Sequence, residues 1–114
     1  MIEKVIKNYL SSAQALNGVS VYMEIPQNPP KTFIVIEKTS SGRTNYIDSS
    51  TIAIQSYSDT LFNAASLSET VKELMHNSIV LDDVVRCSLN SEYNYTDTAM
   101  KKYRYQAVFD LTHY

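Results

Sequence analysis

TFIVIEK, residues 32 to 38, places Phe33, Ile34, Val35 and Ile36 in one unbroken apolar run. β-Branched and aromatic residues favour a pleated, buried setting, and apolar groups on both faces predict the centre of a sheet or a strand whose second face meets a partner. Immediately upstream lies PQNPPK, in which Pro26, Pro29 and Pro30 remove backbone donors and fix φ, so a stiff, extended connection separates this strand from the one before it. That earlier strand is expected over Val19 to Ile25, with Val19, Val21, Met23 and Ile25 on one face and Ser20, Tyr22 and Glu24 on the other. Ile2, Val5, Ile6, Tyr9, Leu10, Ala13 and Leu16 recur every three or four positions, the stripe of an amphipathic helix. Asn17-Gly18 ends it, because glycine accepts the left-handed backbone that closes a helix.

Downstream, TSSGRTNYIDSS at 39 to 50 reads as a polar loop long enough to project, and Thr51 to Tyr57 returns as a strand. Ser58 or Asp59 then offers an N-cap for a helix that continues through Ala64, Leu67, Val71, Leu74 and Met75 to about residue 77. Asp82-Asp83 makes a turn. Val85, Cys87 and Leu89 alternate with Arg86, Ser88 and Asn90 in the next strand. In the closing arm Tyr103, Tyr105, Ala107, Phe109 and Leu111 face one way and Arg104, Gln106, Asp110 and Thr112 the other. The order is α-β-β-β-α-β-β: a single α+β domain over residues 1 to 114, with a mixed, mostly antiparallel sheet. Two helices cover one sheet face more readily than two, so both are expected on one side, leaving a partly polar face for a partner.

Composition narrows the function. The chain has 114 residues, 44% hydrophobic and 19% charged, values of an ordinary folded domain. A net charge of −2 gives no whole-molecule attraction to nucleic-acid phosphates or anionic membrane. Cys87 is the only cysteine and sits in an apolar alternation, which predicts a small core residue without a disulfide. The opening residues mix charge with apolar groups, so neither a signal peptide nor a membrane span is expected, and the compartment predicted by default is intracellular.

Catalytic arrangements are missing from the sequence. Gly18 and Gly42 are the only glycines, too far apart for either phosphate-binding glycine motif. Cys87, His76 and His113 are the whole supply of soft ligands and have no motif spacing, so no metal site and no cofactor are expected. His76 reads as a surface residue near a helix C-terminus, and His113 as a tail residue. Asp82, Asp83 and Glu92 raise a divalent-ion or nuclease reading, with Glu37-Lys38 as the adjacent acid and base. Adjacent aspartates more often start a turn. Nine tyrosines raise a base-stacking reading, weighed against strand packing and subunit contact for Tyr93, Tyr95, Tyr103 and Tyr105. Lys101, Lys102 and Arg104 form a small basic cluster beside them. No catalytic residue is predicted, and the chain is expected to be no enzyme.

The helix Ile2 to Leu16, the FIVIEK strand, the polar stretch after it and, most specifically, SEYNYTDTAMKKYRYQAVFDLTHY at 91 to 114 resemble the tail-terminator proteins of long-tailed bacteriophages. That family is similar in turn to head-to-tail joining proteins. The resemblance implies a homo-oligomeric ring, generally a hexamer, that caps the tail tube at the head-proximal end of the virion and meets the head connector. Its partners would be the tail-tube protein and the connector or stopper, with no membrane and DNA only in passage. Assembly would take place in the host bacterial cytoplasm. By the same analogy Arg43 and Tyr46 are expected in an inter-subunit or axial contact, and Lys101, Lys102 and Arg104 near another subunit or the tube. A head-side joining protein is the neighbouring alternative, and a small nucleic-acid-binding module the alternative of a different class.

Overall fold

A computed structural model describes residues 1–44, 47–99 and 102–114. Helix α1 spans Ile2–Ser12 and is followed by a 3₁₀ turn, Gln14–Leu16, and a three-residue strand β1, Ser20–Tyr22. Strands β2, Phe33–Thr44, and β3, Ile47–Ser58, precede helix α2, Leu61–His76, which runs into a 3₁₀ turn at Asn77–Val80. Strands β4, Val84–Asn94, and β5, Tyr103–His113, complete the sheet. The strand order is β1-β2-β3-β5-β4, with β1 parallel to β2 and every other pair antiparallel. No helix among the described residues is long and apolar enough to cross a membrane.

Both helices lie on one face, as the sequence predicts. Their buried stripes, Ile2, Ile6 and Leu10 from α1 and Ala64, Leu67, Val71 and Met75 from α2, enclose Ile34, Ile36, Ile52, Ile54, Ala107, Phe109 and Leu111 from the sheet. The alternation read for the closing arm is the one observed in β5, where Ala107, Phe109 and Leu111 point to the helices. Tyr9 ties the helices together by donating its hydroxyl to the Leu74 carbonyl at 2.7 Å, and burial raises the pKa of that phenol.

Several elements differ from expectation, each for a local reason. The N-terminal helix stops at Ser12, where Ala13 is extended, because Ser11 and Ser12 are weak helix formers and Ser12 bonds back to the Tyr9 carbonyl. Leu16 is still buried, carried inward by the 3₁₀ turn, and Gly18 takes the expected left-handed backbone at φ +84. Strand β1 ends at Tyr22, leaving Met23 and Ile25 exposed. To enter β2 in parallel the chain must leave the sheet and travel back along it.

The polar stretch 39 to 50 is mostly strand: Ser40 to Thr44 pairs with Thr51 to Ile47. Thr39 donates to the Thr51 carbonyl, and Arg43 meets Asp48 across the pair. The sheet centre is β3, with β2 beside it. The cap of α2 is Thr60, whose hydroxyl accepts from the Asn63 amide at 3.1 Å, while Asp59 accepts from the Asn63 side chain. Bulges at Val84/Arg86 and Leu89/Ser91 let β4 run on to Asn94 and turn Val85 outward.

Ser56 is fully buried on the helix side of β3, and its hydroxyl has no hydrogen-bond partner. Desolvation without compensation is unfavourable, so Ser56→Ala is expected to stabilise the fold by about 1 kcal/mol. Removing the Tyr9 hydroxyl in Tyr9→Phe should destabilise it by about 1 kcal/mol. Urea titrations followed by circular dichroism measure both, and opposite signs for the two variants are the expected result.

Candidate functional site

The face of the sheet without helices is built by the alternate residues of the same strands. Phe33 and Val35 of β2, Ala53, Gln55 and Tyr57 of β3 are buried there although no helix covers them. Phe33 and Tyr57, directly opposite in register, stack at 4.4 Å between centroids with planes 6° apart. Tyr22 of β1 meets the Phe33 ring edge-on at 6.0 Å.

Polar groups extend this cluster across β5 to β4. Arg104 donates from Nη1 to the Tyr57 hydroxyl at 2.9 Å and from Nε to the Tyr95 carbonyl at 2.6 Å, and its guanidinium carbon lies 4.4 Å from the Tyr95 ring centroid. Tyr57 donates to Gln55 Oε1 at 3.0 Å, Gln55 donates to Gln106 Oε1 at 2.8 Å, and Gln106 donates to the Tyr93 hydroxyl. Tyr93 and Tyr95 meet edge to face at 5.9 Å. The circuit therefore closes on itself: Tyr57, Gln55, Gln106, Tyr93, Tyr95 and Arg104. Farther along the face Asp110 accepts from Thr51 at 2.9 Å and from Asn90 at 3.0 Å.

The residues singled out in the sequence fall into two groups at opposite ends of the sheet. Arg43 is at the end of β2, exposed, with a forked contact to Asp48 at 2.7 and 3.4 Å. The hydrogen bond from Arg43 holds the Asp48 carboxyl below its ordinary range, and the same bond raises the pKa of Arg43. Lys102 is exposed beside β5, in an isolated bridge with Asp97, and Arg104 is engaged by the circuit. The length of β3 separates the two groups by roughly 30 Å. Tyr46 and Lys101 lie outside the described residues. Tyr22 from the polar side read for the first strand, and Arg104, Gln106 and Asp110 from the polar side read for the closing arm, are on the helix-free side, whereas Glu24 is in the exposed connection after β1.

The carboxylates of the nuclease reading do not converge. Asp82 and Asp83 are exposed in the turn before β4. Glu92 lies under α2, accepting from Ser68 at 2.6 Å and pairing with Lys72 at 2.9 Å. Lys72, which also meets Glu69 at 2.7 Å, has its pKa raised by these two acids. Among the described residues no cluster of His, Cys, Asp or Glu could hold a metal ion. His76 is exposed at the end of α2, as anticipated. His113 is buried, with Nε2 2.8 Å from Ser50 Oγ, a pairing that needs the register of β3 on β5 and has no local signature. Cys87 packs against the core margin, where burial pushes its thiol upward.

No protein-family model matches the sequence, and no curated protein matches it. Solved structures do match. A chain of the virion of the native gene transfer agent particle has the same fold, with a TM-score of 0.72 at 14% identity over 95% of this chain and 90% of that one. This chain is similar in fold to a virion component.

Arg104 holds three elements of the helix-free face at once, so its loss should be felt in stability. Arg104→Ala is expected to destabilise the fold by about 2 kcal/mol, and Arg104→Lys to recover less than half, since an ammonium cannot fork between Tyr57 and the Tyr95 carbonyl. Thermal unfolding of the two variants checks this. Equal stability of Arg104→Lys and the parent would contradict the fork.

Proposed function

We propose that this chain is a structural protein of a phage-like virion, and within it a tail terminator: a ring-forming subunit that caps the tail tube and meets the head connector. The observation that carries the reading is the end-to-end fold likeness to a gene transfer agent virion chain. It agrees with the resemblance of residues 91 to 114 to tail terminators and with an architecture whose polar groups are spent on internal hydrogen bonds. Glu92, Lys72, Gln55, Gln106, Tyr57 and Arg104 all have partners within the fold. A structural subunit needs that kind of rigidity, because each of its contacts is repeated around an assembly.

The reading is tested by purifying the protein alone and with its cognate tail-tube protein. Light scattering is expected to give one discrete oligomer, and electron microscopy tubes closed at one end whose growth stops when the protein is added. A monomer that leaves tube length unchanged would sink the proposal. Binding to the head connector with no affinity for tubes would instead identify a head-to-tail joining protein.

A further inference from the structure

At the end of the sheet where β2 and β5 begin and β3 ends, the proline-rich return from β1 forms one side of a cleft of about 240 Å³. Pro29 and Pro30 wall it on that side, and Phe33, Tyr57 and Tyr103 wall it from the three strands. Ile25, 49% exposed, stands beside them. Other hollows are larger but built differently: the trough of about 430 Å³ over Ser40, Ser49, Thr51 and Arg86 is lined mainly by short polar side chains.

Size narrows the occupant. A cavity of about 150 Å³ accepts benzene, and sites for drug-sized ligands run from about 300 to 1,000 Å³, so this cleft takes one ring and the atoms joining it to a chain. The walls narrow it again. Phe33 and Tyr57 stack on each other, the Arg104 guanidinium lies over Tyr57 at 5.6 Å, and Tyr22 packs against Phe33, so the pair offers no open stacking platform. A nucleobase, which binds by stacking on open aromatic faces, lacks its usual support. What the pair presents is ring edges, whose partial positive charge favours the π face of an entering ring in edge-to-face contact.

Charge selects what flanks that ring. Lys31 and Lys102 are exposed at the rim, and neither side chain has a hydrogen bond or ion pair among the described residues. The carboxylate lining the cleft, Asp59, already accepts from Asn63 at 3.1 Å and from Ser58 at 3.2 Å. The Asn63 bond first, then the Ser58 bond, and lastly the nearby Lys31 charge hold its carboxyl below the ordinary range. Asp59 is thus engaged with the first turn of α2, and two ammonium groups against one carboxylate leave the rim net positive, complementary to an acidic partner.

We infer that this cleft is a docking site for a protein partner, taking one aromatic side chain from a segment in which carboxylates flank that residue. The inference goes beyond the tail-terminator reading and does not depend on it.

The peptide acetyl-Asp-Phe-Asp-amide, added to the isotope-labelled protein, tests it by nuclear magnetic resonance. Saturable shifts of the backbone amides of Phe33, Tyr57, Ser58 and Tyr103 are expected, with a dissociation constant of about 1 mM. Acetyl-Asp-Ala-Asp-amide should bind about tenfold more weakly or worse, since it has no ring to bury. Acetyl-Lys-Phe-Lys-amide should bind about fivefold more weakly. The double variant Lys31→Glu/Lys102→Glu, at two exposed positions and with its fold verified by circular dichroism, should reverse that last preference. The site is wrong if about 10 mM of the first peptide gives no saturable shift at the cleft, if the alanine peptide binds as well, or if the double variant keeps the parent's preference. Thymidine monophosphate moving the same amides at lower concentration than the peptide would make the cleft a nucleotide site and overturn the assignment to a protein partner. Ring formation is untouched by any of these results.

Discussion

Strand β3 has to be dry on both faces while only one of those faces has helices to cover it. It is hydrogen-bonded to β2 and β5 along nearly its whole length, and every residue from Ile52 to Ser58 is buried. Towards the helices the problem is met in the ordinary way, by Ile52 and Ile54 against Val71, Met75 and Phe109. On the other side there is no third helix. The Phe33 and Tyr57 rings stack over the sheet, and the amides of Gln55 and Gln106 satisfy each other. Arg104 lies between the Tyr57 and Tyr95 rings so that its charge meets π faces and oxygen acceptors together. Replacing a missing layer with a closed polar circuit works only if every member is paired, which is why the circuit draws residues from three strands and fixes their register.

That dependence explains which features can be read from one sequence. The closing strand and α2 are legible because each has one dry face: Ala107, Phe109 and Leu111 recur with period two, and Leu67, Val71 and Met75 with helical spacing. The hairpin arms at 39 to 50 are not legible as strands because residues 39 to 44 are exposed on both faces, so no alternation marks them. The centrality of β3 is hidden by its composition, since Gln55, Ser56 and Ser58 look like surface residues and are buried by neighbours from other strands. FIVIEK advertises itself more loudly and yet lies one place off centre, with its second dry face supplied by the Tyr22 and Tyr57 rings.

The candidate site follows the same rule. Arg104, Tyr93 and Tyr95 stand out in the sequence as a basic and aromatic group near the C-terminal hairpin, but their partners Gln55 and Tyr57 are about 50 residues earlier and are chosen by the β3–β5 register. Ser50 and His113 are paired by that register as well. Local spacing cannot encode a contact that exists only after two strands have aligned. Arg43 and Asp48, five residues apart on one hairpin, are close enough to have been read from sequence once the stretch was recognised as paired strands.

The prolines bear on assembly through β1. A full-length first strand would lie along β2 and fill its outer edge. Pro26, Pro29 and Pro30 stiffen the return path, and β1 is left with only Ser20 to Tyr22 beside Phe33 to Val35. Beyond Val35, β2 has no strand on its outer side among the described residues, and the bulge between Lys38 and Ser40 limits the straight length open to pairing. A segment of sequence that reads as a simple spacer thus decides where the sheet stays open.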